Sequence, residues 1–138
     1  LTVVVLQSAT LWAQGEGGIA GRILDETGAE YRGGARITAV LHAVKDAKFV
    51  PFIAHGASTP EGSYRLGPLR PGKYDVCVQA LNGDYVESCR WGRANAVPTV
   101  AAGAVVNLDI RLEKGKVFTI EVDDNEQFLD RHEGKSPG

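Results

Sequence analysis

The sequence predicts an all-β fold, a sandwich or barrel of about seven strands, on three observations. Apolar residues recur with a period of two, as in Tyr74, Val76, Val78 and Ala80 and again in Val106, Leu108, Ile110 and Leu112. That spacing turns one side of an extended chain toward a core. Turn chemistry recurs at close intervals, in Asp25-Glu26-Thr27-Gly28, Gly33-Gly34, Glu61-Gly62, Pro71-Gly72 and Asn82-Gly83-Asp84. No stretch carries the apolar period of a helix convincingly.

The opening of the chain is of another kind. Leu1 to Ala13, LTVVVLQSATLWA, is apolar, too short to span a bilayer, and followed by the small-residue stretch Gln14-Gly15-Glu16-Gly17-Gly18. Residues 1–14 therefore read as a truncated secretory signal peptide with its cleavage site near Ala13, lacking a basic first region and a Met. A buried first strand over Thr2 to Leu6 is the alternative. No Cys follows the cut to carry a lipid. The expectation is an exported protein, secreted or periplasmic, with no stable membrane span.

The strands follow in order. Ile19 to Leu24 is the first, closed by the Asp25 turn. In Ala35 to Leu41, Ala35, Ile37, Ala39 and Leu41 face one way, while Arg36, Thr38 and His42 face the other, solvated way. Lys48 to Ala54 carries Phe49, Val50, Phe52 and Ile53, with Pro51 marking an edge or a break. Glu61 to Ala80 reads as a β-hairpin corner. Its first strand points Tyr64 and Leu66 inward, and its second points Tyr74, Val76, Val78 and Ala80 inward. Tyr85 to Trp91 is a further candidate strand, and Gly92 to Ala102 is loop-like. Val106 to Leu112 alternates with Asn107, Asp109 and Arg111, the pattern of an antiparallel strand with one wet face. Lys116 to Asp123 offers Phe118, Ile120 and Val122 as one more inward set. A charged stretch then runs to Gly138, so residues 114–138 read as an extra strand and the opening of a further segment.

Composition narrows the function. A chain of 138 residues with 43% apolar and 23% charged residues is an ordinary globular mix for a single domain. Fifteen Lys and Arg are scattered among seventeen acids, giving a net charge of -2, so no basic footprint for nucleic acid exists.

The motifs also resemble a family. Gly21-Arg22-Ile23-Leu24-Asp25 with Gly28, Gly34-Ala35-Arg36-Ile37, Gly62-Ser63-Tyr64-Arg65-Leu66, and Leu69-Arg70-Pro71-Gly72-Lys73-Tyr74 with Val76 and Val78 are similar to the carboxypeptidase regulatory-like domain. The resemblance covers residues 18–113. It implies a transthyretin-like, seven-stranded Greek-key β-sandwich, grouped with carbohydrate-binding-like folds, that serves as an accessory module without catalytic residues. Its partners would be other domains or cell-surface proteins. Similar exported bacterial proteins keep a cysteine after the PGxY strand and another before a Trp, as Cys77, Cys89 and Trp91 stand here. A fibronectin type III module uses a comparable Leu, Pro and Tyr corner, with a spacing usually one residue longer than Leu69 to Tyr74.

An even cysteine count in an exported chain points to a Cys77–Cys89 disulfide, with two free thiols as the alternative. Alternation places Cys77 with Asp75 and Gln79 on the outer face of its strand. No His stands beside either Cys, so no metal site is expected there.

Catalytic signatures are missing. The chain has no Gly-x-Ser-x-Gly elbow, no His-Glu-x-x-His helix and no His-x-x-Glu pair, and His42, His55 and His132 lie far apart. A triad of His42 with Ser58 or Ser63 would need a coincidence of folding. Gly15 to Ala20 matches a dinucleotide fingerprint only in letters, because no βαβ unit follows. Asp123-Asp124-Asn125-Glu126 lacks the alternating ligand spacing of a calcium loop and reads as a solvated strand end. No cofactor is expected.

The aromatics supply the binding hypothesis. In an extended 85–91 segment, Tyr85 and Trp91 share a face with Glu87 and Cys89, a platform that stacks on a sugar ring and accepts its hydroxyl hydrogen bonds. The other reading has Trp91 covering the disulfide or closing the core. The sequence thus predicts a non-catalytic structural or interaction module, with a polysaccharide-binding module on Trp91, Tyr85 and Glu87 as the alternative.

Overall fold

The computed structural model describes residues 15–45, 48–123 and 125–126, and within them the alternating segments form two packed sheets. The readings of residues 1–14, of His132 and of the charged stretch beyond Glu126 lie outside the described residues. One sheet contains β1 (Gly17–Leu24) between β4 (Ser63–Leu69) and the short pair β7 (Val105–Asn107) and β8 (Ile110–Arg111). The other runs in the order β3 (Ile53–Ala57), β2 (Ala35–Leu41), β5 (Gly72–Ala80), β6 (Thr99–Val100). The chain changes sheets after β1, β3, β4 and β6, so the structure is an all-β sandwich of Greek-key type. Counting β7 and β8 as one interrupted strand leaves the expected seven.

The core is the set that alternation selects. Ile19 and Ile23 of β1, Ile37 and Ala39 of β2, Leu66 and Leu69 of β4, and Tyr74, Val76 and Val78 of β5 are buried between the sheets with Ile110 and Leu112. Each large aliphatic side chain of this kind contributes about 2 kcal/mol by leaving water. Tyr74 is fully buried, yet its hydroxyl donates to the Arg70 carbonyl at 2.6 Å, which satisfies its polar end and pins the corner before β5.

That corner corrects the hairpin reading. Strands β4 and β5 flank the Arg70-Pro71 turn but do not pair: β4 lies antiparallel to β1, with Gly21 opposite Tyr64, and β5 lies antiparallel to β2, with Thr38 opposite Cys77. Both strands turn their alternate residues inward, so an arch between sheets satisfies the same pattern as a hairpin.

The segment read as one antiparallel strand over 106–112 is instead two short strands, both parallel to β1. The interruption sits beside Gly21. A Cβ there would overlap the Leu108 carbonyl oxygen and lie 2.5 Å from its carbon, so only glycine admits this approach. Three groups hold the break in place. Leu108 N–H donates to the Ala20 carbonyl at 2.8 Å, the buried Tyr64 hydroxyl donates to the Leu108 carbonyl at 2.6 Å, and Asp109 Oδ1 accepts from Arg22 N–H at 2.9 Å.

Other boundaries move for local reasons. Strand β3 begins at Ile53, past Pro51, whose missing N–H removes it from a ladder. Phe49 and Val50 accordingly lie exposed outside it. Lys116 to Asp123 forms no strand, and Phe118, Ile120 and Val122 are exposed rather than inward. The Asp123 cluster is therefore not a strand end, and Asp124 lies outside the described residues.

Candidate functional site

The Cys77–Cys89 disulfide lies on the outer face of the second sheet and decides where the residues predicted around it fall. The bridge spans Cα atoms 5.8 Å apart and ties the outer side of β5 to the segment that follows it. That segment is a 3₁₀ turn over Ser88–Trp91, not the expected strand. The turn is closed by Gly92 in a left-handed conformation, φ 75°, whose N–H donates to the Cys89 carbonyl at 3.1 Å. Glu87 and Arg90 meet across one such turn at 2.7 Å. Beyond it the chain returns along β5, where Asn95 Oδ1 accepts from Val78 N–H at 2.8 Å and Val76 N–H donates to Ala96 at 2.9 Å.

This conformation separates the three proposed ligand residues. Trp91 is 83% exposed and lines an open groove of about 560 Å³ with Val86, Ser88 and Phe118. The same groove contains the Arg93–Glu113 ion pair, 2.7 Å across, and the Lys116 side chain. Phe118 is 78% exposed and is the second aromatic here. Trp91 therefore neither closes the core nor shares a strand face with Tyr85.

Tyr85 belongs to the frame. Its ring meets Tyr31 edge-on at 5.3 Å between centroids, and its hydroxyl donates to Glu26 Oε2 at 2.6 Å. That bond holds the Glu26 carboxyl below its ordinary range and, with burial, pushes the Tyr85 hydroxyl up to about 12. Lys114 Nζ closes the cluster, 3.4 Å from Glu26 and 5.8 Å from the Tyr85 ring centre. With its hydroxyl engaged, Tyr85 joins the turn after β1 to the chain around Lys114.

Glu87 faces a different groove, about 670 Å³, lying across β3, β2 and β5. Arg36, Thr38, His55 and Gln79 line it. Alternation along β2 and β5 had put Arg36, Thr38 and Gln79 on the outer face, so these residues were findable. His55 was not, because the expected third strand ended at Ala54. Phe118 was missed because its alternation resembled a core strand.

Among the described residues His42, His55, Ser58 and Ser63 are each engaged locally and do not come together. His42 Nε2 bonds Asp75 at 2.7 Å, and His55 Nδ1 meets the Thr38 hydroxyl at 3.2 Å. Ser58 Oγ accepts from Ala35 N–H at 2.8 Å, and Ser63 Oγ shares a hydrogen bond with Thr59 at the same distance. Among the described residues no group of three acidic, His or Cys side chains is placed to hold a metal ion. No helix among them is long and apolar enough to cross a membrane.

No protein-family model and no curated protein sequence matches the chain. Among solved structures the chain is similar to a DUF3823 family protein from Parabacteroides merdae ATCC 43184, with a TM-score of 0.45 and 16% sequence identity. The match covers 74% of this chain and 48% of that protein, so the chain spans about half of that protein's length.

Proposed function

We propose that the chain is a secreted or periplasmic accessory module of the carboxypeptidase regulatory-like kind, non-catalytic, that binds carbohydrate through Trp91. One observation supports the ligand reading above all: an indole 83% exposed on a turn fastened by a disulfide. A large aromatic held out of the core gains its burial from a partner, and a flat apolar face with polar neighbours suits a sugar ring. Arg93, Glu113 and Lys116 beside it supply donors and acceptors for hydroxyl groups. The disulfide supports the compartment, since such bonds persist where thiols are oxidised. A structural role toward neighbouring domains is the reading that remains if the indole binds nothing.

The test is a fluorescence and calorimetric titration of the full chain in a Trp12→Phe background, which leaves Trp91 as the single indole. Soluble glucans, xylans, mannans and pectins form the panel. A saturable response lost in Trp91→Ala is the expected result; silence across the panel refutes carbohydrate binding.

A further inference from the structure

We propose that the groove across β3, β2 and β5 is a subsite for an acidic polysaccharide, with Arg36 receiving the carboxylate of a uronic acid unit. Register builds this groove. Arg36 stands between Ala57 and Gln79, and Thr38 stands between His55 and Cys77. Arg36 therefore projects from the middle strand, with an imidazole, a hydroxyl and an amide around it.

Arg36 is unlike the other described arginines, each of which has a partner, Arg65 included. Arg22, Arg32, Arg90 and Arg93 pair with carboxylates, Arg70 lies over the Phe52 ring at 5.0 Å, and Arg111 Nε donates to the Glu26 carbonyl at 3.0 Å. Among the described residues Arg36 has no hydrogen-bond, ion-pair or ring partner. Glu87, the one carboxylate among the described residues lining this groove, is engaged by Arg90 at 2.7 Å. The groove thus keeps an uncompensated positive charge on a chain whose net charge is -2.

The ligand class follows from that chemistry. A guanidinium presents parallel N–H donors that match a carboxylate fork, and a single one suits one carboxylate per sugar unit rather than a cluster of phosphates. Thr38, His55 and Gln79 match ring hydroxyls. The groove also continues. It shares Cys77 with a recess beside Cys89 and Arg93, and Arg93 in turn lines the Trp91 groove. A chain of sugars laid around the disulfide touches both ends, whereas a monosaccharide touches one.

The inference rests on the carbohydrate reading of this face, and the experiment separates the two. Full-length protein is titrated with polygalacturonate, with its methyl-esterified form, which keeps the ring and loses the charge, and with dextran sulfate as a polyanion control. The wild type is expected to bind polygalacturonate about tenfold more tightly than the ester, the scale of one charge-assisted pair. Arg36→Gln is expected to abolish that preference by lowering acid binding to the level of the ester, with the melting temperature unchanged, and Arg36→Lys to restore it only in part. Equal binding of acid and ester, an Arg36→Gln variant that keeps the preference, or equally tight binding of dextran sulfate overturns the subsite. Ester binding that depends on Trp91 then leaves the proposed function intact. Acid binding that depends on Arg36 but not on Trp91 supports the subsite and removes the Trp91 platform; absence of binding to all three polymers refutes the subsite, while the Trp91 reading stands or falls on the wider neutral panel.

Discussion

Removing both cysteines, as Cys77→Ala/Cys89→Ala, tests how the outer turn is held. The bridge joins positions separated by 12 in sequence, closing a short loop on the outer face. In the chain-entropy treatment a loop of this length restricts the unfolded chain by roughly 10 cal/mol/K, which at 25 °C amounts to about 3 kcal/mol. The half-buried sulfur atoms add little beyond that, because the core lies on the other side of β5. For a domain of this size the loss corresponds to a fall in melting temperature of roughly 10 °C. Urea unfolding followed by circular dichroism measures it directly. The free energy should fall by about 3 kcal/mol, and the denaturant slope should rise as the unfolded chain opens. The wild type with reductant should match the double variant. A loss under about 1 kcal/mol would show that the loop is already closed in the unfolded ensemble, and would refute the entropic argument.

Three further substitutions probe the frame. Gly21→Ala drives a methyl group into the Leu108 carbonyl and separates β1 from β7 and β8, a loss of about 3 kcal/mol or more measurable by the same urea titration. Tyr64→Phe removes the hydroxyl that donates to Leu108 while leaving the ring in the core, so stability should fall by about 1–2 kcal/mol; an unchanged midpoint would mean water replaces it. The Glu26 carboxyl is held below its ordinary 4.5 first by the Tyr85 hydroxyl, so its contribution is fully present above pH 4.5 and fades as the pH falls through the folded value. Tyr85→Phe should therefore flatten the acid limb of a stability–pH profile, and absorbance titration of the wild type should show one tyrosine ionising near 12.

Much of the architecture was legible because the core uses a strict period of two. Strand β2 coincides with the alternating run from Ala35 to Leu41, and β5 ends at Ala80 as the pattern does. Pairing was not legible, since inward residues report a shared core and not a neighbouring strand. Thus Leu66 and Val76 were correctly inward while β4 and β5 entered different sheets. The parallel placement of β7 and β8 depends on Gly21 and Asp109, which act across a sequence distance no local pattern reports. At the candidate site the disulfide was readable from the cysteine count together with the expected compartment. Its consequence for Trp91 was not, because pulling Cys89 onto β5 replaces an extended segment by a 3₁₀ turn. The tail from Lys116 misled for the opposite reason: alternation without a partner strand is only a β-like composition.

The division of labour along β2 and β5 explains how a small sandwich leaves the proposed ligand face free of any part in its core. Inward residues such as Ile37 and Val78 fill the core, while Arg36, Thr38, Cys77 and Gln79 alternate with them on the opposite surface. The outer turn has little core of its own, with Ser88, 4% exposed, as its one buried residue. Burial therefore cannot fix the direction of Trp91. Covalent linkage at Cys89, the left-handed Gly92 and the Asn95 bond to β5 instead hold the backbone that carries it, leaving the indole exposed. The proposed ligand would meet a fixed backbone at Trp91 and would have only the indole's own rotamers to order, a smaller entropy loss than ordering a free loop.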